Sequence, residues 1–147
     1  MKNLKLKLTM VMLCAFAKAG YAQQVDGNSV VYTSQEGKMR IEMCSDNMFR
    51  VTKVATQQMP ENEKWMVVNY DFPQVAFSVD GKQIKTSKLQ VNIQEMPWRI
   101  QVADASGRVF YDELASGCKD SVYNVVKMNP DEHFFGFGER MDRIDQR

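Results

Sequence analysis

Histidine is almost missing from this chain: His133 stands alone among 147 residues. A single imidazole excludes a metal site built on a histidine pair and a relay that needs a second ring. His133 follows Asp131 and Glu132, an order that would suit a carboxylate-polarised base, but one histidine at a strand start more often packs or hydrogen-bonds. Cysteine is scarce too, at three residues with no C-x-x-C pair, so no redox or zinc pattern exists. No metal site and no cofactor are expected. Gly136-Phe137-Gly138 lacks the third glycine, following helix and βαβ context of a dinucleotide loop, which removes that reading. Beyond the first two dozen residues no apolar run approaches the length of a membrane-spanning helix, and no dozen positions carry apolar residues at helical spacing.

What is present begins with a leader. Lys2, Lys5 and Lys7 precede an apolar stretch from Leu8 to Ala17, and Gly20-Tyr21-Ala22 offers small residues before Gln23. This order predicts a secretory signal peptide over 1–22, too short to span a bilayer. Cys14 follows the bulky Leu13, where a lipoprotein signal needs a small residue. The expected location is periplasmic or secreted, with no membrane attachment after cleavage. Losing Lys2, Lys5, Lys7 and Lys18 with no acid takes the net charge from +1 to −3. A mildly acidic chain without a basic cluster is a poor nucleic-acid partner. Cys44 and Cys118 remain, in a compartment where a disulfide persists. Spacing decides nothing, so a bridge and two free thiols stay open.

The remaining 125 residues suffice for one core, and their dominant period is two. Met39, Ile41 and Met43 alternate with Arg40, Glu42 and Cys44; Leu89, Val91 and Ile93 alternate with Gln90, Asn92 and Gln94. Trp98, Ile100 and Val102 repeat the pattern, Phe49, Val51 and Val54 mark another strand, and Val122 to Met128 a last one. One apolar and one wet face per run is the habit of antiparallel sheets. Asp80-Gly81 reads as a tight hairpin between Val75–Val79 and Lys82–Lys85. Asp104 to Gly107 reads as a second hairpin, before Arg108–Tyr111. Pro60 to Lys64 and Ala115-Ser116-Gly117 read as loops, and Asn129-Pro130-Asp131 as a turn. The fold class expected is all-β, an antiparallel sandwich of eight or so strands.

Near the end, Phe135 and Phe137 alternate with Gly136 and Gly138. A strand there would bury two rings and present a bare backbone face, so Gly136 and Gly138 are candidates for close approach by another backbone or a ligand. Charged residues follow at Glu139, Arg140, Asp142, Arg143, Asp145 and Arg147. They read as a solvated loop or as a salt-bridged lip.

The run from Glu132 to Arg140, EHFFGFGER, resembles the signature near the end of the N-terminal domain of glycoside hydrolase family 31, roughly E-x-F/Y-Y/F-G-L/F-G-E-R. Upstream, Gly37 to Val51 is similar to an early strand of those enzymes with its Arg-Val pair. Lys85 to Val91 resembles their T-x-x-L-x-V strand, and the Asp104 to Gly107 hairpin also fits. The resemblance implies a galactose-mutarotase-like sandwich over 23–138, with 139–147 leading toward a (β/α)₈ barrel. It implies a parent enzyme that is a retaining α-glycosidase of the α-glucosidase or α-xylosidase type, with α-linked oligosaccharides as partners. Its two catalytic aspartates, about 5–5.5 Å apart, would stand on the barrel. None of the 147 residues is then catalytic, and the chain alone is expected to be inactive. Glu139, Arg140 and Asp142 are the candidates for a substrate rim, because carboxylates and guanidinium groups hydrogen-bond sugar hydroxyls. The competing assignment makes them a brace between domains.

A second class of reading is a freestanding carbohydrate-binding or structural sandwich. It needs an exposed aromatic platform, and Trp65 beside Glu63 and Lys64 is the ring that suits; Trp98, alternating with Ile100 and Val102, reads as core.

Overall fold

The computed structural model describes residues 22–135 apart from Lys64, Met66, Val68 and Met96. The leader over residues 1–21 and the calls on Gly136, Gly138, Glu139, Arg140 and Asp142 lie outside the described residues. Ten strands form two antiparallel sheets, and no helix occurs among the described residues. The first sheet holds β1 (Ala22–Asp26), β2 (Ser29–Ser34), β3 (Gly37–Ser45) and β4 (Met48–Val54), in that spatial order. The second holds β5 (Ser78–Asp80), β6 (Gln83–Lys85), β7 (Leu89–Gln94), β8 (Arg99–Asp104), β9 (Val109–Gly117) and β10 (Tyr123–Val126), also side by side in chain order. A long connection, residues 55–77, separates the two sheets. The all-β sandwich is as the alternation predicts.

The core lies between the sheets. From β2 and β3 come Val30, Tyr32, Met39, Ile41 and Met43, all essentially inaccessible; Ile84, Val91, Ile93, Trp98, Ile100 and Val102 face them. Each faces inward because alternate residues of a strand share a face, so the period-two pattern becomes a burial pattern. Trp98 is core, packing edge-on against Tyr32 with ring centroids 6.3 Å apart. Such a pair adds roughly 0.5–1.5 kcal/mol beyond the area it buries. The Tyr32 hydroxyl donates to the Gly81 carbonyl at 3.3 Å, and burial, helped by Glu95, pushes its pKa up to about 12.

Several sequence expectations need correction. Among the described residues the strands number ten rather than about eight, because β1 and β2 carry weak signals: β1 is exposed at every position and β2 buries only Val30 and Tyr32. Ala115-Ser116-Gly117 is not a loop but the end of the nine-residue β9; those small residues are tolerated there because β10 pairs with them. The strand expected over Val75–Val79 shrinks to Ser78–Asp80, since Asn28 holds the preceding segment instead. Its side chain donates to the Pro73 carbonyl at 2.8 Å and accepts the Val75 N–H at 3.0 Å. In the β5–β6 hairpin Asp80 pairs with Gln83, so the two turn residues are Gly81 and Lys82. On β4 the third inward position belongs to Lys53, opposite Met39, and not to Val54.

Gly37 fixes the β2–β3 corner. Its φ is +126°, and a Cβ there would lie 1.9 Å from the Val54 carbonyl oxygen. Only glycine combines that torsion with so close an approach of the β4 backbone.

Candidate functional site

The period of two that builds the core also places charge inside it. Phe49, Val51 and Lys53 share the inward face of β4, and Tyr111 and Glu113 share the inward face of β9. Leu114 is an extra residue in the β9–β10 ladder, between Glu113, opposite Val126, and Ala115, opposite Val125. That bulge shifts the phase of the strand, so Ser116 also faces inward, opposite Asn124. The result is a polar cluster at the floor of an inter-sheet cleft.

Glu113 is the hub. It is 5% exposed, and four donors converge on it: Lys53 Nζ at 2.8 Å and the Ile100 N–H at 2.8 Å on Oε2, the Tyr111 hydroxyl at 3.0 Å and Asn124 Nδ2 at 2.9 Å on Oε1. Lys53 also donates to Ser116 Oγ at 2.9 Å, and Ser116 in turn donates to the Trp98 carbonyl. Asn124 Nδ2 reaches the Tyr111 oxygen at 2.8 Å as well. Burial pushes the Tyr111 hydroxyl up from its ordinary range. A buried carboxylate with both oxygens engaged by donors from four different residues is held in one orientation. The cluster ties β4 of one sheet to β8, β9 and β10 of the other.

Above this floor the cleft opens to about 630 Å³. Its walls are mainly apolar, with Phe49, Val51, Ile100, Val102, Phe110 and Val122 among them. The Tyr123 ring covers Gly117 directly across the β9–β10 ladder. A Cβ at Gly117 would lie 2.4 Å from that ring, so the bare glycine is what lets the aromatic lie flat on the strand.

A second polar cluster lies on the outer face of the first sheet. Arg50 pairs with Glu42 directly opposite at 2.5 Å and donates to Asn62 Oδ1 at 2.8 Å. It lies 4.4 Å over the Tyr70 ring, a cation–π contact. Arg40 donates to the same Asn62 oxygen at 3.1 Å. These contacts hold the 55–77 connection at Asn62 and Tyr70, on either side of Trp65, which is 95% exposed. The Trp65 backbone N–H donates to the Glu63 carboxylate at 2.8 Å.

The remaining sequence candidates are placed as follows. Cys44 and Cys118 are both free thiols, so the bridge is absent from this structure. Cys44 is buried on β3, where burial pushes its thiol up and Sγ faces the Glu42 carbonyl at 3.7 Å. Cys118 is half-buried just after β9 and lines the cleft. The His133 ring stacks beside Phe135, with centroids 6.3 Å apart. Among the described residues no group of three or more His, Cys, Asp or Glu side chains is placed to hold a metal ion. The Lys53–Glu113 cluster escapes sequence reasoning. The one available signal was a lysine in phase with Phe49 and Val51.

Residues 38–147 match the glycosyl hydrolase 31 N-terminal galactose mutarotase-like domain. The structure is similar to the GH31 dextranase of Flavobacterium johnsoniae, solved as a variant complexed with isomaltotriose and again complexed with glucose. Both comparisons give a TM-score of 0.65 at 20% identity, over 87% of this chain and 18% of the dextranase chain. This chain thus spans less than a fifth of the length of that enzyme. No curated protein matches the sequence. At 20% identity the superposition speaks for the fold, whereas the family match runs through most of the strands and past the EHFFGFGER run. On that match, the chain belongs to the N-terminal, galactose mutarotase-like domains of glycoside hydrolase family 31.

Proposed function

We propose that this sandwich is the non-catalytic N-terminal domain of a larger, secreted retaining α-glycosidase of the α-glucosidase or α-xylosidase type, and that it braces the catalytic barrel. The observation that carries the reading is the apolar surface of β9, β10 and the segment after them. Leu114, Val125, Val126, Met128 and Phe135 are between 36% and 65% exposed there. Exposed apolar residues on and beside an edge strand mark an interface, and in the sequence they precede the charged run from Glu139 to Arg147. In this reading Glu139, Arg140 and Asp142 serve as rim to the outer sugar subsites or as a brace between domains. An α-linked oligosaccharide is the substrate class.

The test is expression of the reading frame continued beyond codon 147. A barrel-bearing product that releases aryl groups from an α-glucoside or α-xyloside, beside a 147-residue chain that releases none, is the expected outcome. Turnover by the short chain, or a continued frame with no barrel, overturns it. Trp65, with its ring wholly in solvent, favours a second reading as a carbohydrate-binding module. That reading requires the short chain to bind isomalto-oligosaccharides in calorimetry and to lose binding in Trp65→Ala.

A further inference from the structure

Among the described strands β1 ends the first sheet, and every one of its residues is exposed. Its register fixes where its backbone groups point. The turn Gly27-Asn28, with Gly27 at φ +54°, closes on the pair Asp26 and Ser29. The closing pair of such a tight hairpin exchanges hydrogen bonds, and pairs along an antiparallel ladder then alternate between bonded and unbonded. Asp26–Ser29, Gln24–Val31 and Ala22–Thr33 are therefore bonded, whereas Val25–Val30 and Gln23–Tyr32 are not. The next hairpin gives the same answer independently. Gln35 and Glu36 form its turn, closing on Ser34 and Gly37, so Tyr32 directs its N–H and C=O to Met39 of β3 and not to Gln23. Gln23 thus turns its backbone nitrogen and carbonyl away from β2, and its side chain is exposed.

Gln23 is also the residue that follows the expected cut after Ala22. We propose that, once the leader is removed, Gln23 cyclises to pyroglutamate and that this lactam seals the start of β1. The inference rests on the reading of the chain as secreted, with a leader ending at Ala22. An α-amine is partly unprotonated near neutral pH, unlike a lysine amine, and the glutamine carboxamide lies at the reach that closes a ring the size of proline's. The amine nitrogen attacks Cδ of its own side chain. The N–Cδ bond forms, the Cδ–Nε2 bond breaks, and ammonia leaves with a proton from the amine; no oxidant or co-reactant takes part. Inside a strand, ring closure on the nitrogen would fix φ and remove a ladder donor. Residue 23 has no ladder bond to lose and, after the cut, no residue before it. The ring therefore leaves Gln24–Val31 untouched, and only the Ala22–Thr33 pair goes with the leader. A charged ammonium becomes a neutral amide N–H, and aminopeptidases lose the free amine they require. Trimming of β1 would otherwise turn β2, with the buried Val30 and Tyr32, into the edge of the sheet.

The test is made on the full-length protein exported with its own leader. Free amines are labelled before tryptic digestion, so that cyclisation during digestion is not mistaken for the modification. Trypsin then cuts only at arginine, and the first peptide of the mature chain is Gln23–Arg40. It should carry label on Lys38 alone and be lighter than its sequence by one ammonia. A labelled Gln23 amine overturns the proposal and leaves the export reading intact. A retained leader, or a mature chain that starts at another residue, overturns both. Gln23→Ser cannot form the lactam and supplies a second measurement. It should keep the amide protection of residues 29–34, and it should lose β1 residues to an aminopeptidase that leaves the unaltered protein whole. Faster exchange over 29–34 in the undigested variant, or equal trimming of the two proteins, overturns the proposal.

Discussion

Lys53 Nζ on β4 and Glu113 Oε2 on β9 meet at 2.8 Å across the space between the sheets, with side chains only 16% and 4% exposed. Each sits where its strand's alternation calls for an apolar residue. The pair is tolerated because Ile100, Tyr111, Asn124 and Ser116 complete a hydrogen-bond network around it. Breaking one side of such a pair strands the other, and that loss exceeds what the intact pair contributes.

Glu113→Gln is therefore expected to lower stability by about 3–5 kcal/mol, because its amide nitrogen would face Lys53 and the Ile100 N–H as a third donor. Adding Lys53→Met should recover part of that loss. Urea denaturation of the two single variants and the double variant measures the coupling. Additive losses would show that the pair does not act as a unit.

Gly37→Ala is expected to cost about 2 kcal/mol or more, combining an unfavourable torsion at φ +126° with the contact on the Val54 carbonyl. An alanine at Gly81, whose Cβ would meet nothing within 4 Å, should cost distinctly less. Thermal melts of both variants make the comparison.

Alkaline pH should destabilise the fold through Tyr32. Its folded pKa of about 12 lies above the ordinary value of 10.0, so the unfolded chain releases its proton first as pH rises. The stability tied to the neutral phenol is complete below pH 10 and is lost progressively from 10 to 12. Tyr32→Phe should flatten that limb of a stability–pH curve, leaving the smaller share due to Tyr111, which shifts in the same direction.

Asp104 governs an acid limb of opposite sense. Hydrogen bonds from the Ser106 hydroxyl, then from the Arg108 N–H, hold its carboxyl below the usual carboxylate range. Its contribution is present above the ordinary aspartate pKa and is lost as pH falls through the lowered one. Asp104→Asn should reduce the dependence of stability on pH below about 4. Asp46, held down by Ser87, remains as an internal comparison.

The short chain should self-associate through its exposed β9–β10 surface. Leu114→Lys with Val125→Thr is expected to raise the concentration at which larger species appear by about tenfold, equivalent to roughly 1.4 kcal/mol. Sedimentation velocity across a dilution series reads this. An unaltered profile would place the contact elsewhere.

Strands whose apolar residues alternate strictly are legible in the sequence alone. β3, β7 and β8 bury Met39, Ile41, Met43, Leu89, Val91, Ile93, Ile100 and Val102, as their spacing predicts. β1 was not legible, because an edge strand with no buried position carries no pattern. In the sequence β9 reads as a short strand and a loop. Two bulges interrupt its phase, at Phe110 against β8 and at Leu114 against β10, and a local window sees a break in period as the end of an element. The polar cluster was hidden for a different reason. A lysine and a glutamate sixty residues apart look like two solvated charges until two sheets bring them together. The EHFFGFGER run was the most readable feature for family membership, yet its closing residues lie outside the described residues.

Among the described strands every ladder joins neighbours in the chain, which makes each sheet a meander. Local pairings keep contact order low for an all-β protein, so hairpins can zip up one after another as the chain emerges, with little loop-closure entropy opposing each step. The one strongly nonlocal event is laying the first meander on the second, after residues 55–77 have been passed. That docking brings Lys53 to Glu113, so their contact should form late, and substitutions there should speed unfolding more than they slow refolding.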